Sequence, residues 1–289
     1  MLDMLLRCGA WGKTDFVFFN TGLEYQATLE HLKFLEDKYG ITIEKIRPSK
    51  SIPTCTKEYG IPFWSKYASD MMRRLQMHNF KWEDKPFDVL CGEYPSCKSA
   101  LRWWCNIHNG NTTQWSIERS PYLKEFLVEN PPEFRISGMC CQHAKKNPIH
   151  SLIKRGGYDL SCVGIRKAEG GIRSMSYKSC FSEKVAVGTD VFRPVFWFRD
   201  SDKEEYCTHY GVAHSKCYTE YGLVRTGCVG CPFGKRISDE MSVLSQYEPK
   251  LYKAALAVFG KSYDYTQAYM DYRNKRKEEC KIQNAKEKQ

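Results

Sequence analysis

The pattern that most constrains the fold lies between residues 15 and 46, where a strand, a helix and a second strand follow one another. Residues 15–19 form a short apolar run that leads into a polar turn containing Gly22. Apolar residues then recur at helical spacing from Leu29 to Leu35, and Gly40 provides a stop before residues 41–46, which alternate as a strand does. This strand–helix–strand unit predicts a parallel sheet covered by helices.

The remainder of the chain extends this α/β prediction. Residues 160–165 repeat the strand pattern, residues 121–128 predict a helix, and helices are expected over residues 244–259 and 263–280. Residues 81–130 are otherwise rich in cysteine, proline and tryptophan without a regular period, so we interpret them as an irregular insertion. The sequence predicts an α/β domain over residues 1–240, with a twisted, mostly parallel sheet and flanking helices. A helical C-terminal extension is predicted over residues 241–289.

Composition narrows the cellular context and the class of partner. No apolar run reaches the roughly 18 to 20 residues of a membrane span, and residues 1–7 do not resemble a secretory signal, so a cytoplasmic protein without membrane contact is expected. The formal net charge of +10 favours anionic partners such as nucleotides or nucleic acid. Fourteen cysteines in such a chain indicate metal, cluster or redox chemistry rather than a disulfide framework.

Two tight cysteine groups are the strongest chemical signal. Cys140 and Cys141 are adjacent, and Cys228 and Cys231 form a Cys-x-x-Cys turn that is followed by proline. Four thiolates from two segments suit either a zinc ion or an iron–sulfur cluster, and the spacing alone does not separate the two. A looser group is interpreted as core or loop cysteines rather than a second metal site; it comprises Cys91, Cys97 and Cys105.

The order of several motifs, over roughly residues 1–235, resembles the phosphoadenosine phosphosulfate (PAPS) reductase family of the adenine-nucleotide α-hydrolase-like superfamily. The motifs are the cysteine pair with Lys145, Lys146 and Pro148; Gly164 and Arg166 with Glu169 and Arg173; the segment 193–222; and the segment 225–233. The four cysteines resemble those of assimilatory adenylyl-sulfate reductases. That resemblance implies that Cys140, Cys141, Cys228 and Cys231 hold a [4Fe–4S] cluster, which favours a cluster over zinc.

The resemblance also implies a nucleotide site. Residues 20–24 are similar to the family's Asp-Thr-Gly nucleotide loop, with asparagine in the first place. Arg166 and Arg173 would clamp an oxyanion, and Lys145 would supply positive charge, although loop arginines more often pair with surface acids. An adenine nucleotide or sulfonucleotide is the implied ligand, with a thioredoxin-like protein as electron donor. The implied binding residues are Asn20, Thr21, Gly22, Glu24, Lys145, Gly164, Arg166, Glu169 and Arg173.

Two departures from the family pattern bear on the activity. The Ser-Gly-Gly-Lys-Asp-Ser phosphate loop is missing, and residues 1–6 resemble the helix that follows it. We therefore expect either that the sequence begins too late or that the protein has lost its phosphate cradle. The family's C-terminal Glu-Cys-Gly-x-His motif also has no match, because Cys280 is followed by lysine and isoleucine. Cys280 is thus a weak candidate nucleophile and is interpreted as an incidental helix cysteine.

Three functional hypotheses follow. The first is an enzyme that reduces a sulfonucleotide, or transfers sulfur on an adenylylated substrate, with an iron–sulfur cluster. The second is a sulfur-transfer protein acting on DNA, similar to phosphorothioation proteins, which the missing cysteine tail and the charge of +10 favour. The third is a cluster-bearing binding module without catalytic activity, which the missing phosphate loop favours.

Overall fold

The computed structural model describes residues 1–108, 115–170, 175–186, 188–234 and 236–286. The chain divides into two compact units, and each is built from two separate stretches. Unit 1 comprises Met1–Ser49 and His143–Thr226, and unit 2 comprises Lys50–Gln142 and Gly227–Gln289. The sequence-based boundary at residue 240 falls inside unit 2, within a helix.

Two short strands lie within residues 16–46 and three more within residues 160–192, and the other elements of the described chain are helices. The elements in chain order are α1 (Leu2–Arg7), β1 (Phe16–Phe19), α2 (Gln26–Tyr39), β2 (Ile43–Ile46), α3 (Ile52–Tyr59), α4 (Lys66–Met77), α5 (Phe87–Glu93), α6 (Lys98–Trp104), α7 (Leu123–Glu129), α8 (Met139–Cys141), α9 (Asn147–Gly156), β3 (Leu160–Cys162), β4 (Phe181–Ala186), β5 (Thr189–Phe192), α10 (Asp200–Tyr210), α11 (Lys216–Thr219), α12 (Ile237–Tyr247) and α13 (Pro249–Lys286). None of the described helices combines the length and apolar character that crossing a bilayer requires.

Unit 1 contains the strands and confirms the mixed α/β class. Strands β1 and β2 pair in parallel, from Phe16 opposite Ile43 to Phe19 opposite Ile46, with α2 between them in sequence. A second sheet has the order β3-β5-β4, in which β3 and β5 are parallel and β4 and β5 are antiparallel. The described strands thus form two small sheets where one mostly parallel sheet was predicted. Only two residues separate β4 from β5, so they form a hairpin, which is necessarily antiparallel.

Local signals end α2 where the sequence predicts. Gly40 adopts the left-handed conformation (φ 62°), and its N–H donates to the carbonyl oxygen of Glu36. The Glu36 carboxylate in turn accepts hydrogen bonds from the backbone N–H of Ile43 and the ammonium of Lys45, both at 2.9 Å. These bonds tie the end of the helix to β2 and fix the register of the predicted strand–helix–strand unit.

The core of unit 2 is built largely from residues 81–130, which were predicted to be irregular apart from a helix at residues 121–128. Residues 81–130 contain the short helices α5, α6 and α7. Several of their apolar side chains are almost fully buried together with those of α4, for example Leu75, Leu101, Trp104 and Phe126. Helix α7 matches the predicted helix, whereas α5 and α6 were not predicted. Each of these two is only seven residues long, which is too short for a helical period to be recognised.

The C-terminal helices differ from the two predicted ones. The break lies at Glu248, because Pro249 lacks a backbone N–H and suits the first position of a new helix. Helix α13 then runs without interruption through Gly260, where the sequence predicted an end. Tyr265 and Tyr269 of this helix pack against Phe126 in a tilted arrangement, with ring centroids 5.0 and 5.4 Å apart. The C-terminal segment is therefore part of the core of unit 2.

Candidate functional site

All four predicted metal-ligating cysteines belong to unit 2, on two segments that contact each other. Cys140 and Cys141 lie in the short helix α8, and Cys228 and Cys231 lie in the loop that precedes α12. The ring of Phe233, two residues beyond the loop, packs against Gly138: its Cζ atom is 3.5 Å from the position that a Cβ on Gly138 would occupy. This contact joins the Cys-x-x-Cys segment to the beginning of α8.

The cysteine thiols also affect one another electrostatically. A hydrogen bond with Cys141 and burial raise the pKa of the Cys140 thiol far above its ordinary value, and the nearby thiols of Cys231 and Cys228 raise it further. Cys140 and Cys228 are 5% and 8% exposed, so half of the set is shielded from solvent. The structure therefore brings the four predicted ligands into one neighbourhood.

The hydrogen bond within the set joins the side chains of Cys140 and Cys141. Within the described part of the chain, no group of three or more His, Cys, Asp or Glu side chains already has the spacing of a metal site. Thiolates rather than thiols bind metals, so binding would remove the proton that Cys140 and Cys141 share in their hydrogen bond. The chemistry of the four donors fits a zinc ion or an iron–sulfur cluster.

The Cys-x-x-Cys loop is a tight turn held by its own backbone. The N–H of Cys231 donates to the carbonyl of Cys228 at 3.2 Å, and the N–H of Gly234 donates to the carbonyl of Cys231 at 2.8 Å. Gly230 has a φ of 64°, which side-chain-bearing residues rarely adopt. A Cβ at Gly230 would lie only 2.6 Å from the Tyr263 hydroxyl and 2.7 Å from the Cβ of Ala255. Glycine is therefore required here on two grounds.

Two residues that sequence reasoning missed support this loop. The Glu240 carboxylate accepts a hydrogen bond from the N–H of Gly230 at 3.1 Å, and the Tyr263 hydroxyl donates to the carbonyl oxygen of Gly230. Burial raises the pKa of Tyr263, and the charges of Glu240 and Cys231 raise it further, so the phenol stays protonated as a donor. Tyr263 lies in the predicted C-terminal extension and Glu240 is the last residue of the predicted α/β domain, and neither belongs to a recognisable motif.

The predicted nucleotide loop, residues 20–24, lies in unit 1 directly after β1. The N–H of Asn20 donates to the carbonyl of Ile46 at 2.9 Å and extends the pairing of β1 with β2. The Asn20 side chain accepts a hydrogen bond from the N–H of Gly22 at 3.0 Å, and Glu24 accepts from the backbone and hydroxyl of Thr21 at 3.1 and 2.6 Å. This self-bonded turn stands at the carboxyl end of a parallel strand, as predicted.

Lys145 and Glu24 interact within unit 1. Burial raises the pKa of the Glu24 carboxyl above its ordinary value, while the hydrogen bonds from Thr21 and the positive charge of Lys145 act in the opposite direction. The structure thus brings one predicted cation to the predicted nucleotide loop. A half-buried carboxylate beside a lysine can orient hydroxyl groups of a bound ligand, such as those of a ribose.

The second predicted binding segment follows β3 in unit 1. Gly164 packs against the side chain of Met1, and Glu169 accepts a hydrogen bond from the N–H of Arg166 at 3.1 Å. The Arg166 guanidinium forms an ion pair with the exposed Asp200 at 2.8 Å, so it has the acidic partner that loop arginines commonly find. Arg173, the second predicted clamp, lies outside the described residues.

The remaining cysteines with functional interpretations lie in unit 2. Cys97 donates to the carbonyl of Arg74 at 3.7 Å and Cys105 to that of Lys85 at 3.9 Å, and burial raises the pKa of both thiols. Cys280 lies on α13, exposed, with its sulfur 3.4 Å from the hydroxyl of Tyr122. Cys280 thus lies within a regular helix, as its interpretation as an incidental helix cysteine expects.

Comparison with known proteins finds a relative in an archaeon but no matching family model. No family model matches the chain. The chain is similar to an uncharacterized protein of Methanocaldococcus jannaschii, with 34% identity over 174 residues. That alignment covers 56% of this chain but only 33% of the archaeal protein, so the chain spans about a third of the relative's length.

Proposed function

We propose that this chain is an iron–sulfur protein of the PAPS reductase family that reduces a sulfonucleotide or transfers sulfur on an adenylylated substrate. The observation that carries the proposal is the convergence of four thiols from two segments that are far apart in sequence; these are Cys140, Cys141, Cys228 and Cys231. Such a donor set fits zinc or a cluster equally, and the motif order shared with adenylyl-sulfate reductases favours [4Fe–4S]. For unit 1 we propose the adenine-nucleotide α-hydrolase-like fold.

In this proposal the two units have separate tasks. The cysteines of unit 2 would hold the cluster, and a bound cluster would supply electrons or electrostatic polarisation for chemistry at sulfur. Glu240 and Tyr263 would keep the Cys-x-x-Cys loop in a conformation that presents both thiolates. The loop at residues 20–24 in unit 1 would contact the adenosine, and Lys145 would attract the anionic part of the ligand.

Arg166 would contribute to anion recognition by exchanging partners. Its side chain is only 16% exposed, whereas the side chain of its partner Asp200 is 76% exposed. The aspartate can therefore swing into solvent while the arginine stays in place. An incoming sulfate or phosphate oxygen pair would then accept the bidentate hydrogen bonds that a guanidinium provides.

A second candidate is sulfur transfer to nucleic acid. The observation that favours it is the position of Cys280 in the last turns of α13, beside Tyr122, rather than in a tail that could carry a nucleophile to bound substrate. A protein that transfers sulfur supplied by a separate donor does not need a nucleophilic cysteine in a C-terminal tail. The excess of basic residues is also suited to a phosphate backbone.

The activity is tested by incubating anaerobically purified protein with adenylyl sulfate or PAPS and a dithiol reductant, and measuring released sulfite. We expect sulfite from the wild type and none from the Cys228→Ser/Cys231→Ser variant. Cys8→Ser, at an exposed cysteine outside the site, serves as the control that should retain activity. Binding of these nucleotides without sulfite release would refute reduction and favour the binding-module hypothesis.

A further inference from the structure

Unit 2 contains a groove that is separate in its residues from the cysteine site. Its cavity volume is about 270 Å³, and three cations from three segments line it: Lys57 near the end of α3, Arg135 in the segment before α8, and Lys261 on α13. All of its lining residues are among those described, and none of them is Asp or Glu. The groove is therefore positively charged without internal compensation.

The backbone beneath the groove is tightly held. The N–H of Ile61 donates to the carbonyl of Arg135 at 2.8 Å, and the N–H of Ser137 donates to the carbonyl of Ile61 at 3.0 Å. Gly60 has a φ of 111°, and a Cβ there would lie 2.3 Å from the carbonyl oxygen of Arg135. Because glycine permits this close approach, the end of α3 and the Arg135 segment keep a fixed spacing.

Among the described residues, the three groove cations have no acidic partner, whereas several other cations of unit 2 do. Lys50, Lys85 and Lys124 form ion pairs with carboxylates at 2.5, 2.8 and 2.5 Å. Among the described residues, no carboxylate lies within 4.0 Å of the side-chain nitrogens of Lys57, Arg135 or Lys261. Arg135 uses one guanidinium nitrogen to donate to the carbonyl of Lys57 at 3.3 Å, which leaves its other donors available.

We propose that this groove binds the phosphate group of a nucleotide unit, whether free or within a nucleic-acid strand. An anion placed among three unpaired cations relieves their mutual repulsion and accepts charge-assisted hydrogen bonds. The groove also has an apolar wall, which includes Ile61, Phe134 and the partly exposed Leu256, and which would cover a sugar or base. The volume of about 270 Å³ lies just below the range of about 300–1,000 Å³ that is usual for small-molecule pockets, so the groove would hold part of a nucleotide, such as its phosphate and sugar.

The test compares two triple variants of the full-length protein with the same change in charge. Lys57→Gln/Arg135→Gln/Lys261→Gln removes the groove cations, and Lys81→Gln/Lys250→Gln/Lys253→Gln removes three exposed lysines of unit 2 that do not line the groove. Calorimetric titration with inorganic pyrophosphate and with a short oligothymidylate measures affinity at fixed salt. Circular dichroism and the metal content of each variant establish that the fold and the cysteine site are intact.

We expect the groove variant to lose at least tenfold in affinity for pyrophosphate, while the control variant changes less than about threefold, since one decade corresponds to about 1.4 kcal/mol. Tighter binding of the oligothymidylate than of pyrophosphate, with the same loss, would identify nucleic acid as the source of the phosphate. Equal losses in the two variants, or no binding by the wild type, would overturn the proposal. Neither result depends on sulfite release or iron content.

Discussion

The hydroxyl of Tyr263, in the middle of the C-terminal helix, donates a hydrogen bond to the carbonyl oxygen of Gly230 in the Cys-x-x-Cys loop. The same glycine donates its N–H to Glu240 on the preceding helix. The backbone N–H and the carbonyl oxygen of Gly230 are thus both hydrogen-bonded, to a side chain of α12 and a side chain of α13 respectively. The C-terminal helices therefore position two of the four proposed ligands, Cys228 and Cys231.

The first prediction concerns this contact. Tyr263→Phe leaves the carbonyl of Gly230 without its partner, which we expect to destabilise the loop by about 1–3 kcal/mol. In metal-free protein the thiols of the loop should then react faster with a chromogenic disulfide reagent. Tyr252→Phe, on the same helix, is the control. Equal thiol reactivity in the wild type and Tyr263→Phe would show that the tyrosine does not hold the loop.

The second prediction separates steric conflict from backbone strain. Gly230 and Gly222 have similar φ values, 64° and 67°, but a Cβ meets close neighbours only at Gly230. Gly222→Ala should cost about 1 kcal/mol from left-handed strain alone. Gly230→Ala should lower the free energy of unfolding further, by about 1–3 kcal/mol, because its Cβ would overpack the loop. Urea unfolding measures both, and similar losses in the two variants would contradict the packing described around Gly230.

The third prediction concerns the attachment of α13 to the core of unit 2. Tyr269 is fully buried, its hydroxyl donates to the carbonyl of Pro121 at 2.8 Å, and its ring meets Trp64 edge-on at 4.7 Å. We expect Tyr269→Phe to cost about 1–2 kcal/mol. Tyr269→Ala should cost about 3–5 kcal/mol.

The neighbouring exposed residue provides the control for this series. Ala268→Gln changes a solvent-facing position of the same helix and should alter stability by no more than about 0.5 kcal/mol. The free energy of unfolding is obtained from urea denaturation of each full-length variant. If Tyr269→Ala were as mild as Ala268→Gln, α13 would not belong to the folded core.

The fourth prediction concerns pH and a buried carboxylate in unit 1. Asp3 is 5% exposed and accepts hydrogen bonds from Arg7 at 2.7 Å, Tyr206 at 2.7 Å and Tyr39 at 2.9 Å. Burial alone would raise the pKa of Asp3, but these bonds and the charge of Arg7 bring it below its ordinary value. The carboxylate thereby joins α1, α2 and α10.

Because the pKa of Asp3 is lower in the folded state, the stabilisation is complete above the ordinary aspartate pKa of about 3.9. It is lost as the pH falls from there through the folded-state pKa. Asp3→Asn should cost about 2–3 kcal/mol at neutral pH and less in acid, whereas Asp37→Asn, at an exposed position of α2, should cost little at any pH. A cost for Asp3→Asn that does not shrink in acid would contradict this assignment.

The sequence predicted local features better than their assembly. The α2 stop at Gly40 and the turn at residues 20–24 were predictable, because each depends on neighbouring residues with specific backbone requirements. The support of Gly230 by Tyr263 was not, because it depends on packing between segments more than thirty residues apart. The sequence predicted α7 but missed α5 and α6 for a related reason: long-range burial, rather than a long periodic pattern, stabilises them.

At the candidate site, too, the sequence predicted local features but not the contacts between distant segments. The cysteine spacing predicted which four residues would be ligands, and the structure gathers their thiols in unit 2. The partner of Arg166 could not be named in advance, since Asp200 lies in α10, more than thirty residues further along the chain. The role of Glu240 is also not signalled by any motif. The spacing of the cysteines does not identify the metal, because four thiolates can bind either a zinc ion or an iron–sulfur cluster.

The measurement that tests the central claim most directly is iron and acid-labile sulfide analysis of anaerobically purified protein, together with its visible absorbance spectrum. The account predicts about four irons and four sulfides per chain. Both should be absent from Cys228→Ser/Cys231→Ser and retained in Cys8→Ser. Stoichiometric zinc, or no metal in the wild type, would contradict the assignment of a [4Fe–4S] cluster to Cys140, Cys141, Cys228 and Cys231.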